Sequence, residues 1–120
     1  MKILLTGANG YIGTRLLPVL LDQGHEVVCM VRDPRRFVLE SDFGEKVQIV
    51  TGDLLNPESL KNIPNDIEAA YYLVHSMSGQ GADFADLELQ SAQNFVTQLK
   101  QGNCNQVIYL TGIANDEQLS

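Results

Sequence analysis

The chain has 120 residues, of which 44% are apolar, and this is enough for one domain with its own hydrophobic core. Fifteen acidic and eight basic residues give a net charge of −7, which argues against a nucleic-acid-binding or anionic-membrane-binding surface. No apolar run reaches the roughly 18–20 residues of a membrane span, and strand-like sequence directly after Lys2 predicts that there is no export signal. The two cysteines, Cys29 and Cys104, lack metal-ligand spacing, so no metal site is predicted. Their number allows a disulfide, but without an export signal we expect none, and we expect a cytoplasmic protein.

Apolar runs of strand length alternate along the chain with segments of helical period. Strands are predicted over residues 2–6, 26–31, 47–50, 69–74 and 106–111, and helices over residues 11–23, 57–62 and 83–101. Such alternation implies right-handed crossovers and a parallel sheet in the order 3-2-1-4-5. We therefore predict an α/β, Rossmann-like, doubly wound fold, with a domain over residues 1–112 and a polar tail over residues 113–120. Because a complete fold of this type has about six strands, the sheet is expected to be truncated and the chain to be the front of a longer protein.

Turn and cap residues predict where the helices end. Gly24 fits a C-terminal cap of the first helix, and Asn56 followed by Pro57 fits the start of the second. Pro18 lies inside the first helix, where we expect a local kink and not a break. The long third helix is expected to be capped by Gly102 and to bury one face. That face is predicted to carry Ala85, Leu89, Ala92, Val96 and Leu99.

Three glycines at a three-residue period lie where the first predicted strand becomes the first predicted helix, in the segment 6–13 (Thr-Gly-Ala-Asn-Gly-Tyr-Ile-Gly). Gly7 permits a tight turn, and Gly10 lets the backbone approach a pyrophosphate. Gly13 lets the helix pack closely on the strand. The unpaired N–H groups and the positive dipole end of that helix then face the phosphates.

The other residues of this segment have roles in the same hypothesis. Asn9 is predicted to hold the loop by side-chain-to-backbone hydrogen bonds. Tyr11 and Ile12 open the helix on the pyrophosphate side. The alternative is a purely structural strand-to-helix turn that binds nothing, but the strand before the glycines and the helix after them favour a dinucleotide site.

The end of the second strand indicates which dinucleotide binds. An NAD site requires a carboxylate there for the ribose 2′-hydroxyl, whereas a guanidinium pairs with the 2′-phosphate of NADP. Arg32 lies at this position, with Arg35 and Arg36 nearby, and this favours NADP. Asp33 follows immediately and would serve NAD if the strand ended one residue later.

Further candidate residues follow the third, fourth and fifth strands. Asp53 is predicted to accept from the exocyclic amine of adenine, with Leu54 covering the ring, although a simple turn aspartate is the alternative. His75 is predicted to lie near the middle of the cofactor, at the carboxyl edge of the sheet. The alternative is an ordinary loop histidine, because no partner carboxylate is identifiable beside it. Thr111 ends the fifth predicted strand, where it is predicted to approach the nicotinamide ribose or a substrate. The alternative is that a β-branched threonine is simply favoured in a strand.

Taken together, these segments resemble an atypical or extended short-chain dehydrogenase/reductase, over essentially the whole chain. The resemblance rests on residues 2–13, 24–27, 31–33, 52–54, 70–77 and 107–112. Within that superfamily, the sequence resembles a bacterial subgroup of NAD(P)-binding, epimerase-like or NmrA-like oxidoreductases that carry a further C-terminal domain of unknown function. The resemblance implies pyrophosphate binding by the loop from Gly7 to Gly13 and 2′-phosphate binding by Arg32. It also implies that Asp53 and Leu54 bind adenine, and that Leu73, Val74 and His75 line the ribose side.

The catalytic Tyr-x-x-x-Lys of that superfamily is absent from the chain, and in relatives such a pair lies downstream of the fifth strand. The residues four positions after the tyrosines Tyr11, Tyr71, Tyr72 and Tyr109 are Arg15, His75, Ser76 and Ile113. Two hypotheses follow. In the first, the chain is the dinucleotide-binding part of an oxidoreductase or epimerase-like enzyme acting on an unidentified small molecule. In the second, it is a non-catalytic dinucleotide sensor of the NmrA-like type. The fifth strand is also expected to be an exposed sheet edge through which a homodimer can form.

Overall fold

The computed structural model describes residues 1–8, 11–33, 46–73 and 81–109. Five parallel strands form one sheet in the order β3-β2-β1-β4-β5, which confirms the predicted α/β Rossmann-like fold and strand order. The strands are β1 (Lys2–Thr6), β2 (Glu26–Val31), β3 (Val47–Thr51), β4 (Ala69–Tyr72) and β5 (Gln106–Tyr109). The helices are α1 (Tyr11–Asp22), a 3₁₀ helix (Pro57–Asn62) and α2 (Gly81–Leu99). Among the described residues, no helix combines the length and apolar character that crossing a membrane requires.

The central strand β1 is buried on both faces of the sheet. Leu4 packs in the core layer that contains Phe95 of α2, while Ile3 and Leu5 pack in the layer that contains Leu17 of α1. Since successive side chains of a strand point to opposite faces, a strand between two helical layers has to be apolar throughout. This explains why β1 shows no alternation of polar and apolar residues.

The register of the sheet aligns the carboxyl ends of its strands. Thr6 of β1 lies opposite Met30 of β2, and Val31 of β2 lies opposite Thr51 of β3. On the other side, Leu5 pairs with Tyr71 of β4. The residues that follow β1, β2, β3 and β4 therefore share one edge of the sheet.

The end of α1 confirms the cap predicted at Gly24. Gly24 has a φ of 90°, its N–H donates to the Leu21 carbonyl at 3.0 Å, and the His25 N–H donates to the Leu20 carbonyl at 3.2 Å. This pair of hydrogen bonds is the Schellman motif. The helix continues through Pro18, as expected.

Several elements differ from the sequence prediction. The helix over Pro57–Asn62 is a 3₁₀ helix, although the cap works as predicted, with the Asn56 Oδ1 accepting from the Glu58 N–H at 3.2 Å. Helix α2 begins and ends two residues earlier than predicted, and β4 ends at Tyr72, before its predicted end. The predicted end of β5 lies outside the described residues. Hydrogen bonds of the loop residues, which apolar periodicity does not report, determine these ends.

The buried face of α2 agrees with the prediction at Leu99 and differs from it at Leu89. Phe95 is fully buried and Leu99 is 6% exposed, whereas Leu89 is 58% exposed. Phe95 lies six positions after Leu89, a spacing that places the two side chains about 120° apart around a helix. The large aromatic ring packs into the core, and Leu89 is thereby directed to solvent.

Gly102 follows α2 for a reason other than a left-handed cap. Its N–H donates to the Leu99 carbonyl at 3.1 Å. However, the described glycines with a positive φ are Gly7 and Gly24, so Gly102 does not have the left-handed conformation of such a cap. A Cβ on Gly102 would lie 2.6 Å from the carbonyl oxygen of Asn65. Close approach of the two backbones therefore requires glycine at this position.

Candidate cofactor site

The carboxyl edge of the sheet brings several predicted site residues together. Gly7 follows β1, Arg32 follows β2, Asp53 and Leu54 follow β3, and Leu73 follows β4. Tyr11 is described as the first residue of α1, and Ile12 is 48% exposed in its first turn. The predictions for Asn9, Gly10, Val74, His75 and Thr111 fall outside the described residues.

Gly7 and Gly13 show that the glycine loop and the first turn of α1 lie in direct contact. Gly7 has a φ of 70°, which favours glycine, and a Cβ there would lie 3.3 Å from the carbonyl carbon of Leu73. A Cβ on Gly13 would overlap the Gly7 carbonyl oxygen and lie 2.8 Å from the Cα of Ala8. Only glycine at position 13 allows this packing, which leaves the amino end of α1 at the edge of the sheet.

The amino end of α1 has the electrostatic character of an anion site. The first turn carries no acidic residue, so no side-chain carboxylate there offsets the positive end of the helix dipole. The first N–H groups of a helix have no partner within it. The loop and this helix end therefore fit a pyrophosphate group.

Thr6 fastens the glycine loop to the neighbouring strand β4. Its side chain is fully buried, and its hydroxyl donates to the Tyr71 carbonyl at 2.9 Å and accepts from the Leu73 N–H at 3.3 Å. These two bonds continue the pairing of β1 with β4 beyond the Leu5–Tyr71 pair. Leu73 is thereby held beneath Gly7.

Arg32 is the first residue after β2, because the strand ends at Val31. Its side chain is exposed, and that of Asp33 is half-buried. The Gly52 N–H donates to the Val31 carbonyl at 3.0 Å, which joins the ends of β2 and β3. The positively charged side chain of Arg32 therefore follows the end of β2, where contact with the adenosine ribose of the cofactor is predicted.

Hydrogen bonds within residues 52–59 give the turn around Asp53 its shape; residues 52–56 are called the Asp53 turn below. The Asp53 Oδ1 accepts from the Leu55 N–H at 3.0 Å, as in an Asx turn. The Ser59 hydroxyl accepts from the Asp53 N–H at 2.8 Å and lies 3.1 Å from the Asp53 carbonyl oxygen, to which it donates. Leu54, expected to cover the adenine ring, is 7% exposed and packs in the core layer beneath α2.

Two polar residues of this edge, Ser59 and Asn94, were not singled out by sequence reasoning. Asn94 of α2 donates from its Nδ2 to the Leu54 carbonyl at 2.7 Å. An asparagine beside a buried phenylalanine in the middle of a helix is unfavourable by propensity, and this is the signal that indicates a tertiary role. Ser59 gives no comparable signal, since serine is common in short helices and turns.

Tyr72, at the end of β4, has a phenol that stays protonated. Burial, then the negative charge of Glu88 and the nearby Tyr109, raises the pKa of Tyr72 from 10.0 to about 12, although a hydrogen bond with Ser91 opposes this. Its ring packs edge-on against Phe95, with 5.0 Å between the ring centroids. Tyr72 therefore stabilises the core beneath α2 and is unsuited to act as a tyrosinate.

Comparisons with known proteins agree with this geometry. A family model described as NAD(P)H-binding matches residues 7–120. The photosystem II assembly factor Ycf39 of Cyanophora paradoxa is 28% identical over 120 residues, which are 100% of this chain and 36% of that protein. The UDP-glucose 4-epimerase of Klebsiella pneumoniae is 37% identical over 79 residues, which are 60% of this chain and 57% of that protein. The chain spans about a third of the length of the Ycf39 proteins from Synechocystis and Cyanophora.

Solved structures show the same fold. Yeast methylglyoxal/isovaleraldehyde reductase Gre2, complexed with NADPH, has a TM-score of 0.77 at 14% identity, over 91% of this chain and 36% of that one. A Rossmann-fold NAD(P)-binding family protein from Shigella flexneri has a TM-score of 0.73 at 21% identity, over 98% of this chain and 55% of that one. The chain therefore belongs to the NAD(P)H-binding family, whose model matches residues 7–120.

Proposed function

We propose that this chain binds NADP at the carboxyl edge of its sheet and is the cofactor-binding part of an oxidoreductase or epimerase-like enzyme. The observation that carries the proposal is the contact between Gly7 and Gly13, which no residue with a side chain could reproduce. It leaves backbone N–H groups, and no competing carboxylate, at the amino end of α1.

Each residue of the site has a separate part in the proposal. The loop from Gly7 to Gly13, with Asn9, Gly10, Tyr11 and Ile12 between them, binds the pyrophosphate. Asp53 accepts from the exocyclic amine of adenine, because a carboxylate can accept further hydrogen bonds besides the one from the Leu55 N–H. Leu54 supports this turn from the core, and Leu73, Val74, His75 and Thr111 line the ribose and nicotinamide side. When bound, the nicotinamide supplies the hydride chemistry, and these residues bind and orient it.

The preference for NADP over NAD rests on Arg32. Its exposed guanidinium follows β2 directly, and such a group pairs bidentately with a phosphate. Titration calorimetry with NADPH and NADH tests the choice, using Arg32→Ala and Gly10→Val. NADPH should bind more tightly than NADH, Arg32→Ala should remove the difference, and Gly10→Val should abolish both. If neither NADPH nor NADH binds the unchanged protein, the proposed function is refuted.

A non-catalytic sensor of the NmrA-like type is the second candidate. One observation favours it: the Ycf39 relatives from Synechocystis and Cyanophora are named photosystem II assembly factors. Oxidation of bound NADPH in the presence of small carbonyl compounds separates the two. Turnover supports the enzyme, whereas tight binding without turnover across a broad carbonyl set supports the sensor.

We also propose a homodimer formed through β5. This strand pairs only with β4 in the described sheet, and Tyr109 on it is 44% exposed. Unpaired backbone groups at a sheet edge favour association with another strand. A monomeric sedimentation profile at high protein concentration would contradict this proposal.

A cytoplasmic location is the remaining proposal. Both described cysteines are free thiols, which suits a reducing compartment. Fractionation of cells that express the tagged protein tests this, and recovery in a secreted or membrane fraction would contradict it.

A further inference from the structure

The Asn94 amide connects the Asp53 turn to helix α2. The Asn94 Nδ2 donates to the Leu54 carbonyl at 2.7 Å, and the Asn94 Oδ1 accepts from the Gln90 Nε2 at 3.1 Å. Asn94 is half-buried and directly precedes the fully buried Phe95. The neighbouring helical residue Gln90 therefore orients the amide so that its donor points at the turn.

Among the described residues, the other hydrogen bonds of the Asp53 turn do not connect it to α2. Those made by Asp53, Asn56 and Ser59 join residues within 53–59, so they set the internal shape of the turn. The Gly52 N–H joins the beginning of the turn to β2. The bond from Asn94 spans 40 positions of sequence and joins the side that carries Leu54 to α2.

We propose that Asn94 is a positioning residue for adenine recognition, and this inference rests on the proposed function. By holding the Leu54 carbonyl, Asn94 fixes the position of the preceding residue, Asp53, relative to the glycine loop. The Asp53 carboxylate then meets the exocyclic amine of an adenine whose pyrophosphate lies at α1. Helix α2 acts on the cofactor through the backbone of the turn and does not touch it.

The chemistry of the base provides a selective readout. An ionised carboxylate only accepts hydrogen bonds, so it favours adenine, which carries an amino group. Hypoxanthine carries a carbonyl oxygen at the same position, which a carboxylate repels. The ratio of the affinities for NADPH and for its hypoxanthine analogue therefore reports where the Asp53 carboxylate lies.

The test compares Asn94→Asp with Gln93→Glu by titration calorimetry against both dinucleotides. The first variant keeps the side-chain shape and replaces the donating NH₂ by an oxygen, while the second makes the same change at an exposed neighbour on α2. Loss of one net hydrogen bond predicts that Asn94→Asp weakens NADPH binding by about fivefold or more, since about 1 kcal/mol is lost. Binding of the hypoxanthine analogue should change little, and Gln93→Glu should behave as the unchanged protein.

Two results would overturn the inference. Either Asn94→Asp leaves the affinities for both dinucleotides unchanged, or it weakens both equally, which would mean a general disturbance of the site; in both cases the affinity ratio stays the same. If circular dichroism shows that Asn94→Asp does not fold, Asn94→Ala with Gln93→Ala as its control decides by the same ratio, because alanine favours a helix. Failure of the unchanged protein to bind either dinucleotide refutes the proposed function itself, and the inference with it.

Discussion

The buried hydroxyl of Thr6 provides a direct test of how the glycine loop is held. Thr6→Val keeps the branched shape of the side chain and removes the hydroxyl. The Tyr71 carbonyl then loses a donor at 2.9 Å, and the Leu73 N–H loses an acceptor at 3.3 Å. Because Thr6 is fully buried, water has no direct access to replace it.

The expected loss of stability follows from these two bonds. Each buried polar group left without a partner costs about 1–3 kcal/mol, so Thr6→Val, which leaves two, should lower the free energy of unfolding by about 2–6 kcal/mol. Thr6→Ser keeps the hydroxyl and removes one methyl group, which should cost about 1 kcal/mol. The valine variant should therefore be the less stable of the two, although it conserves the packed volume better.

Urea unfolding followed by circular dichroism measures both variants. The dependence of the free energy on urea should be the same in all three proteins, so the midpoints rank their stabilities. A valine variant at least as stable as the serine variant would refute the reasoning, because the hydroxyl would then contribute no more than the methyl group.

Further predictions concern packing, reactivity, pH and charge. Gly13→Ala should reduce both stability and dinucleotide affinity, since its Cβ would overlap the Gly7 carbonyl; a variant with unchanged affinity would contradict the close contact. In the native protein a thiol reagent should modify the half-buried Cys104 rapidly and the fully buried Cys29 only on unfolding, as counted by mass spectrometry. Burial raises the pKa of Cys29 from 9.0 to about 12, so the unfolded chain releases this proton at a lower pH than the folded protein. The free energy of unfolding should therefore fall as the pH rises from 9 toward 12, and a flat profile in urea titrations would contradict this. Arg32→Ala should reduce the salt dependence of NADPH affinity without altering that of NADH.

Much of the fold could be predicted from the sequence because its signals are local. The apolar run of β1, the Schellman glycine Gly24 and the cap at Asn56 depend on residues within a few positions of each other. The roles of Gly7 and Gly13 in packing were also predictable, since the loop and the helix that meet there are adjacent in the chain. Predictions failed where the partner is distant: the exposure of Leu89 depends on where Phe95 enters the core.

The sequence by itself determined the alternation of strands and helices, the strand order and the glycine loop, because each follows from short-range periodicity and backbone conformation. Only the tertiary structure decided which polar groups hold the site in place. The Thr6 hydroxyl reaches across to β4, and the Asn94 amide reaches the Leu54 carbonyl. It also decided that Gly102 is required by the backbone of Asn65. Such contacts join residues far apart in the chain, and their distances are fixed only when the sheet register and the packing of α2 are complete.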